Sequence, residues 1–207
     1  MLLNIVTDVT ISNLIFTDFN DDSPCISFDG WKVKEYVQIT SSNFTNIHNA
    51  RCAMMTKNDD NKIKVTLYGC RFENTYLESD NASVEVLPNG GSIYLQGKAD
   101  VTISNCYFIN NTAINNGGAI FAETQSIELH VNHFINCKAT GNEIGKKGYG
   151  GAVYLSQESI EYVAENHERL SGNIFTDCYS STSGGAIFVY CYDEHHGKRS
   201  TLDIDDD

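Results

Sequence analysis

Glu128, His130 and Arg169 are the side chains in this 207-residue chain whose types best suit chemistry. Glu128 and His130 are two residues apart, and on an extended strand that spacing turns both to one face. A carboxylate and an imidazole on one face, with a guanidinium close by, could move protons during cleavage of a polysaccharide. A stacked Glu128–Arg169 ion pair accounts for the same charges without catalysis. His133 lies three residues beyond His130, so on one continuous strand it would turn to the opposite face and share no metal with it. Asp193, Glu194, His195 and His196 bring two more imidazoles, but no aspartates flank them in a catalytic pattern, and they read as a polar loop. Seven cysteines show neither CxxC nor zinc-type Cys/His spacing, and the odd count leaves at least one unpaired within the chain. No metal and no cofactor is expected.

Two further groups could bind rather than react. Tyr94, Phe121, Tyr154 and Phe188 follow four related glycine motifs and are expected to line one face, where they either stack on each other or form a platform for a sugar or a protein. Asn43, Asn81 and Asn110 begin Asn-x-Ser/Thr triplets, the glycosylation acceptor. The formal charge of −13 argues against nucleic acid and anionic membrane surfaces as partners. Acidic runs such as Asp21-Asp22, Asp59-Asp60 and Asp205-Asp206-Asp207 read as solvated turns or ends. No window of about 18 apolar residues exists to span a bilayer as a helix. The opening residues lack the basic and apolar regions of a signal peptide, and residues 200–205 read as a strand beginning, as in a piece of a longer protein.

These groups are positioned by a repeat. Phe16, Phe44, Phe72, Phe108, Phe134 and Phe175 are spaced 28, 28, 36, 26 and 41 residues apart. Five residues before each stands Ile11, Ile39, Leu67, Ile103, Leu129 or Leu170. Seven before stand Val9, Val37, Val65, Val101 and Ile127, with Glu168 interrupting the last copy. An apolar pair at i, i+2 is the strand period. Three before stand Asn13, Ser41, Gly69, Asn105, Val131 and Gly172; five of the six favour a bend. Two after stand Asp18, Asn46, Asn74, Asn110, Asn136 and Asp177, all of them turn residues and most able to build an amide ladder. Two residues before the anchors, Cys70 and Cys106 become neighbours in a column of inward positions; Cys137 and Cys178 become neighbours in another. Free buried thiols are expected in both, because parallel stacked side chains have poor Cβ directions for a disulfide.

A second motif completes the unit: Gly90-Gly91, Gly117-Gly118, Gly150-Gly151 and Gly184-Gly185, each followed by an alternating apolar strand. Ile93, Ile120, Val153 and Ile187 then point inwards. Strand, bend, short strand around Phe, Asn turn and Gly-Gly strand make one layer that cannot bury its apolar face alone. Two prolines and 16 glycines fit a backbone rich in ladders and tight bends. The expected fold is all-β: a right-handed single-stranded parallel β-helix of about six coils, residues 1–207 forming one domain. Leucine-rich repeats would need leucines at fixed spacing and a helical segment in each repeat, which are missing.

The run from Phe108 through Asn111 to Gly117-Gly118-Ala119-Ile120 resembles the FxxN and GGAI motifs of polymorphic membrane protein repeats. Phe134 with Gly150-Gly151-Ala152-Val153, and Phe175 with Gly184-Gly185-Ala186-Ile187, are similar to it. The resemblance covers roughly residues 64–190, and Asn stands in the strict FxxN place only after Phe108. It implies a β-helical protein of the cell surface or extracellular space that adheres to host cells through a host protein or glycan. It implies no enzyme activity and no cofactor, and contact with a membrane only through segments outside this chain. The rival reading is a carbohydrate-active β-helix enzyme using Glu128, His130 and Arg169; a third is an inert spacer. Recognition would vary in the long connections 77–88, 139–149 and 156–171.

Overall fold

The computed structural model describes residues 3–5, 8–20, 23–29, 36–56, 63–77, 89–141, 148–156, 167–190 and 201–205. Every regular element among them is a β-strand. The strands form one 12-stranded and one 9-stranded sheet, and all the pairings are parallel. Adjacent strands come from successive repeats, never from consecutive segments of one repeat.

The first apolar run of each repeat pairs with its counterpart in the next, with Val9, Val37, Val65 and Val101 in register and Ile127 following. The phenylalanine strands do the same, so that Phe16, Phe44, Phe72, Phe108, Phe134 and Phe175 sit opposite one another in order. The strands after the glycine pairs align Ile93, Ile120, Val153 and Ile187. The unequal repeat lengths therefore leave the register intact. In Ile93–Ser104 and Ile120–His130 the third and first runs of the repeat fuse into one strand, and a register shift between Gly97 and Asp100 absorbs the join.

The six phenyl rings make a single pile. Successive centroids are 4.9, 4.9, 4.8, 4.8 and 4.8 Å apart, and the planes differ by no more than 7°. That spacing is the strand separation itself, about 4.8 Å, so the backbone ladder and the ring stack enforce each other. Around the pile lie Ile39, Leu67, Ile103 and Leu129, all fully buried. Each stacked pair adds about 0.5–1.5 kcal/mol beyond its buried area.

The bends are made by left-handed residues. All six positions three before the anchor have positive φ, from 47° to 62°. Five are residues that tolerate this; the sixth is Val131 at 54°, where a β-branched side chain is strained. All six positions two after the anchor lie between 52° and 56°. Side chains at this second bend hydrogen-bond along the stack. Asn136 Nδ2 donates to Asn110 Oδ1 at 2.8 Å, Asn110 to Asn74 at 3.0 Å, Asn74 to Asn46 at 3.1 Å, and Asn46 to Asp18 at 2.9 Å. Asp18 needs only to accept, and the bond from Asn46, then that from Thr17, holds its carboxyl below its usual range. At the first bend inward polar side chains satisfy the backbone: Asn132 Oδ1 accepts the Cys106 N–H at 2.9 Å while its Nδ2 donates to the Ile103 carbonyl at 2.8 Å. Ser42 does the same for Leu14 and Thr40.

Glycine is needed twice over at the third corner. Gly117 has φ of 65°, and a Cβ on Gly118 would fall onto the carbonyl oxygen of Gly151 and the backbone of Lys138. The layers touch backbone to backbone there.

Asn74 separates conformation from ladder. Asn74→Gly keeps the left-handed bend and loses the two amide bonds, at about 1–2 kcal/mol. Asn74→Ala loses both and adds about 1–2 kcal/mol of left-handed strain. Urea unfolding should rank wild type above Gly and Gly above Ala.

Candidate functional site

The four aromatic residues after the glycine pairs are brought together as expected, but as a closed stack. Tyr94, Phe121, Tyr154 and Phe188 follow one another at centroid spacings of 5.1, 5.1 and 5.5 Å, nearly parallel. Tyr94, Phe121 and Tyr154 are only 7, 6 and 8% exposed, with Phe188, Tyr149 and Tyr190 packed against them. An open platform of four rings is thus not what the fold presents. Each ring covers the next, Tyr149 lies against Phe188 at 4.7 Å, and they form a second apolar core on the outer face of the sheet.

Arg51 closes the Tyr94 end of this stack. Its Cζ lies 5.0 Å from the Tyr94 ring centroid, and its Nε donates to the Asn89 carbonyl at 2.9 Å. Burial lowers its guanidinium to about 10, with Tyr94 opposing, so it keeps its charge at neutral pH. The Tyr94 hydroxyl donates to Gln96 Oε1 at 3.0 Å, and Gln96 Nε2 donates to Glu123 Oε2 at 2.7 Å. Burial raises the Tyr94 phenol; the charge of Arg51 opposes that and Glu123 adds to it. Arg51 and Glu123 are buried charges knitted into one network, a group that sequence spacing did not single out because the residue type changes at the place of Glu123, which Gln96, Ser156 and Tyr190 occupy in the other copies. The network is a seal: cation–π and charge-assisted hydrogen bonds compensate the desolvated groups.

Glu128, His130 and Arg169 do come onto one sheet face. Glu128 is in register with Arg169, and His130 with Ser171. His130 Nε2 lies 3.3 Å from Glu128 Oε2, and Nδ1 lies 2.6 Å from Ser171 Oγ. Carboxylate, imidazole and hydroxyl thus form a chain, of which Ser171 was unforeseen as a member. The backbone around it is committed to the ladder: Val131 N–H donates to the Ser171 carbonyl and Asn105 N–H to the His130 carbonyl.

His133 departs from expectation. It does not continue the strand of His130, because that strand ends at His130 and the next begins at His133, with Val131 at positive φ between them. Leu129 and Asn132 point inwards, so His130 and His133 both face outwards around one corner. His133 stacks on Tyr107 at 4.7 Å. Among the described residues no three His, Cys, Asp or Glu are gathered to hold a metal ion.

This corner gathers apolar side chains that remain uncovered. Tyr68, Tyr107, Val131 and Ile174 are 51, 42, 50 and 50% exposed, and they come from successive repeats on the two sides of the first bend. Arg71, paired with Glu73 at 2.8 Å, and His133 border them. The aromatic positions and the bend were visible in the sequence, but the exposure of these side chains together around that bend was not. Asn43 is exposed and Asn110 is held in the amide ladder. Asn81, the acidic runs at 21–22, 59–60 and 206–207, the His195–His196 loop, and most of the long connections lie outside the described residues.

The chain matches no family model, no curated protein and no solved structure.

Because the aromatic stack is core, Phe121→Ala should cost about 3–5 kcal/mol, measured as a fall in the free energy of urea unfolding. A loss below about 1 kcal/mol would mean the ring is not packed in this way.

Proposed function

We propose that the chain is a right-handed single-stranded parallel β-helix of about six coils that acts as a cell-surface interaction module, holding a rigid recognition ridge towards a host protein or glycan. Parallel strands stacked in three aligned runs, with three bends per repeat, support the coil. The observation that carries the binding reading is the ridge itself. Exposed apolar side chains gathered on one surface are where protein and carbohydrate partners dock, and the sharpest of them stands where the backbone opposes it. Val131 occupies a bend that every other repeat gives to Asn, Ser or Gly. A strained residue kept at an exposed position points to use rather than stability. Its side chain stands half exposed in the ridge, where an Asn would leave a polar gap.

The carbohydrate-active enzyme is the second reading, supported by the Ser171–His130–Glu128 chain. It is the weaker one, because that hydrogen-bonded chain is its single support.

Val131→Asn separates function from fold. It should raise stability by about 1 kcal/mol through relief of the left-handed strain, and it should reduce binding to a glycan array or to cultured eukaryotic cells at least fivefold. Tyr107→Ser should reduce binding likewise, while His130→Ala leaves it unchanged. Binding that survives Val131→Asn and Tyr107→Ser would sink the ridge as the recognition surface; polysaccharide cleavage lost in His130→Ala would favour the enzyme.

A further inference from the structure

Six described cysteines are free thiols, and the repeat sorts them into three pairs. Cys25 and Cys52 stand at equivalent places of adjacent layers, since the Ile26 N–H donates to the Cys52 carbonyl and the Cys52 N–H to that of Ser92. Cys70 and Cys106 share the inner place of the first bend, where the Cys70 N–H donates to Cys106 Sγ at 3.4 Å. Cys137 and Cys178 lie between two in-register pairs, Ile135 with Thr176 and Lys138 with Tyr179. All but Cys178 are fully buried. Cys178 is partly exposed.

Paired thiols on adjacent parallel strands are held at a separation with chemical consequences. A disulfide needs sulfurs about 2.05 Å apart and a Cβ–S–S–Cβ twist of about 90°, whereas in-register side chains start about 4.8 Å apart and parallel. Two metal–thiolate bonds of about 2.3 Å laid end to end span about 4.6 Å. The ladder spacing therefore suits a bridging ion and not a sulfur–sulfur bond. Each sulfur also has only weak partners to give up. Cys137 Sγ donates to the Phe108 carbonyl at 3.5 Å, and Cys178 Sγ to that of Phe134 at 3.6 Å.

We propose that Cys137 and Cys178 form a two-coordinate site for a soft monovalent d10 cation such as Cu(I). Thioether and thiolate sulfur select such ions over hard ones, and Cys178 gives solvent its way in. Binding exchanges two S–H bonds for two metal–sulfur bonds: two thiols and one M⁺ give a bis-thiolate of charge −1 and two protons, with no change of oxidation state. Cys178, the partly exposed sulfur, meets the ion first, and Cys137 completes the bridge from within. The other two pairs have the same spacing but no exposed member.

The test is anaerobic titration of the full, reduced chain with Cu(I) buffered by bicinchoninate. The fold itself supplies tolerated replacements, because Thr75 and Asn111 occupy the same column in earlier repeats. Wild type should bind one Cu(I) at its tightest site. Cys178→Thr and Cys137→Asn should each weaken that site at least tenfold with unchanged circular dichroism, and Cys70→Ser should leave it within twofold. X-ray absorption of the one-equivalent complex should show two sulfur neighbours. Affinity within twofold of wild type in both Cys178→Thr and Cys137→Asn, or an absorption spectrum with one or three sulfurs, would overturn the site.

Discussion

Side chains in the stacked columns of this protein are constrained by the residue one layer away. Parallel in-register pairing places equivalent residues about 4.8 Å apart, so a residue type is admitted at an inner position only if it can sit on its own like. Phenylalanine satisfies this by face-to-face stacking, asparagine by donating with one end of its amide and accepting with the other, and small residues by letting backbones touch. Fixed charge does not, and among the described residues only Arg51 and Glu123 are buried charges. Glu123 stacks in register on Gln96, its hydrogen-bond donor, and Arg51 lies against the Tyr94 ring, so each meets an unlike partner.

That constraint explains how unequal repeats still align. Steps of 26 to 41 residues between anchors leave the ring spacing within 4.8–4.9 Å. The extra length enters between the columns, where no copy has to be matched. It also explains the direction of the amide ladder. Donors run from Asn136 down to Asp18, and a carboxylate can occupy the final place because it is asked only to accept. At Asp177, one place beyond Asn136, a donor would be required, and among the described residues no side-chain hydrogen bond joins the two.

What was legible in the sequence follows from the same rule. The phenylalanine column, the two bend positions and the inward i, i+2 pairs could be read because like-on-like stacking keeps residue types nearly constant from one repeat to the next. What was not legible depends on departures from the repeat or on distant segments. The bend column already placed a corner at Val131, but His130 and His133 were read as lying on one continuous strand across it, and the joint exposure of Tyr68, Tyr107 and Ile174 around that corner was not foreseen. The pointing of Tyr94, Phe121, Tyr154 and Phe188 away from the inner core was readable. Stacking on each other was one of the two arrangements the sequence allowed; the choice between it and an open platform is set by the packing of Arg51, Tyr149 and Tyr190. Ser171 was passed over as a member, although the register that stacks Glu128 on Arg169 also sets it against His130.

The claim on which the rest stands is that residues 159 apart in sequence at the two ends of the phenylalanine column are separated by five strand spacings. Thr17 and Thr176 are both exposed, each one residue past its anchor, and can carry nitroxides on genetically encoded side chains that leave the native thiols untouched. Double electron–electron resonance should give one narrow distribution near the about 24 Å that five parallel spacings require. A broad distribution, or a sharp one far from that length, would contradict the in-register stack.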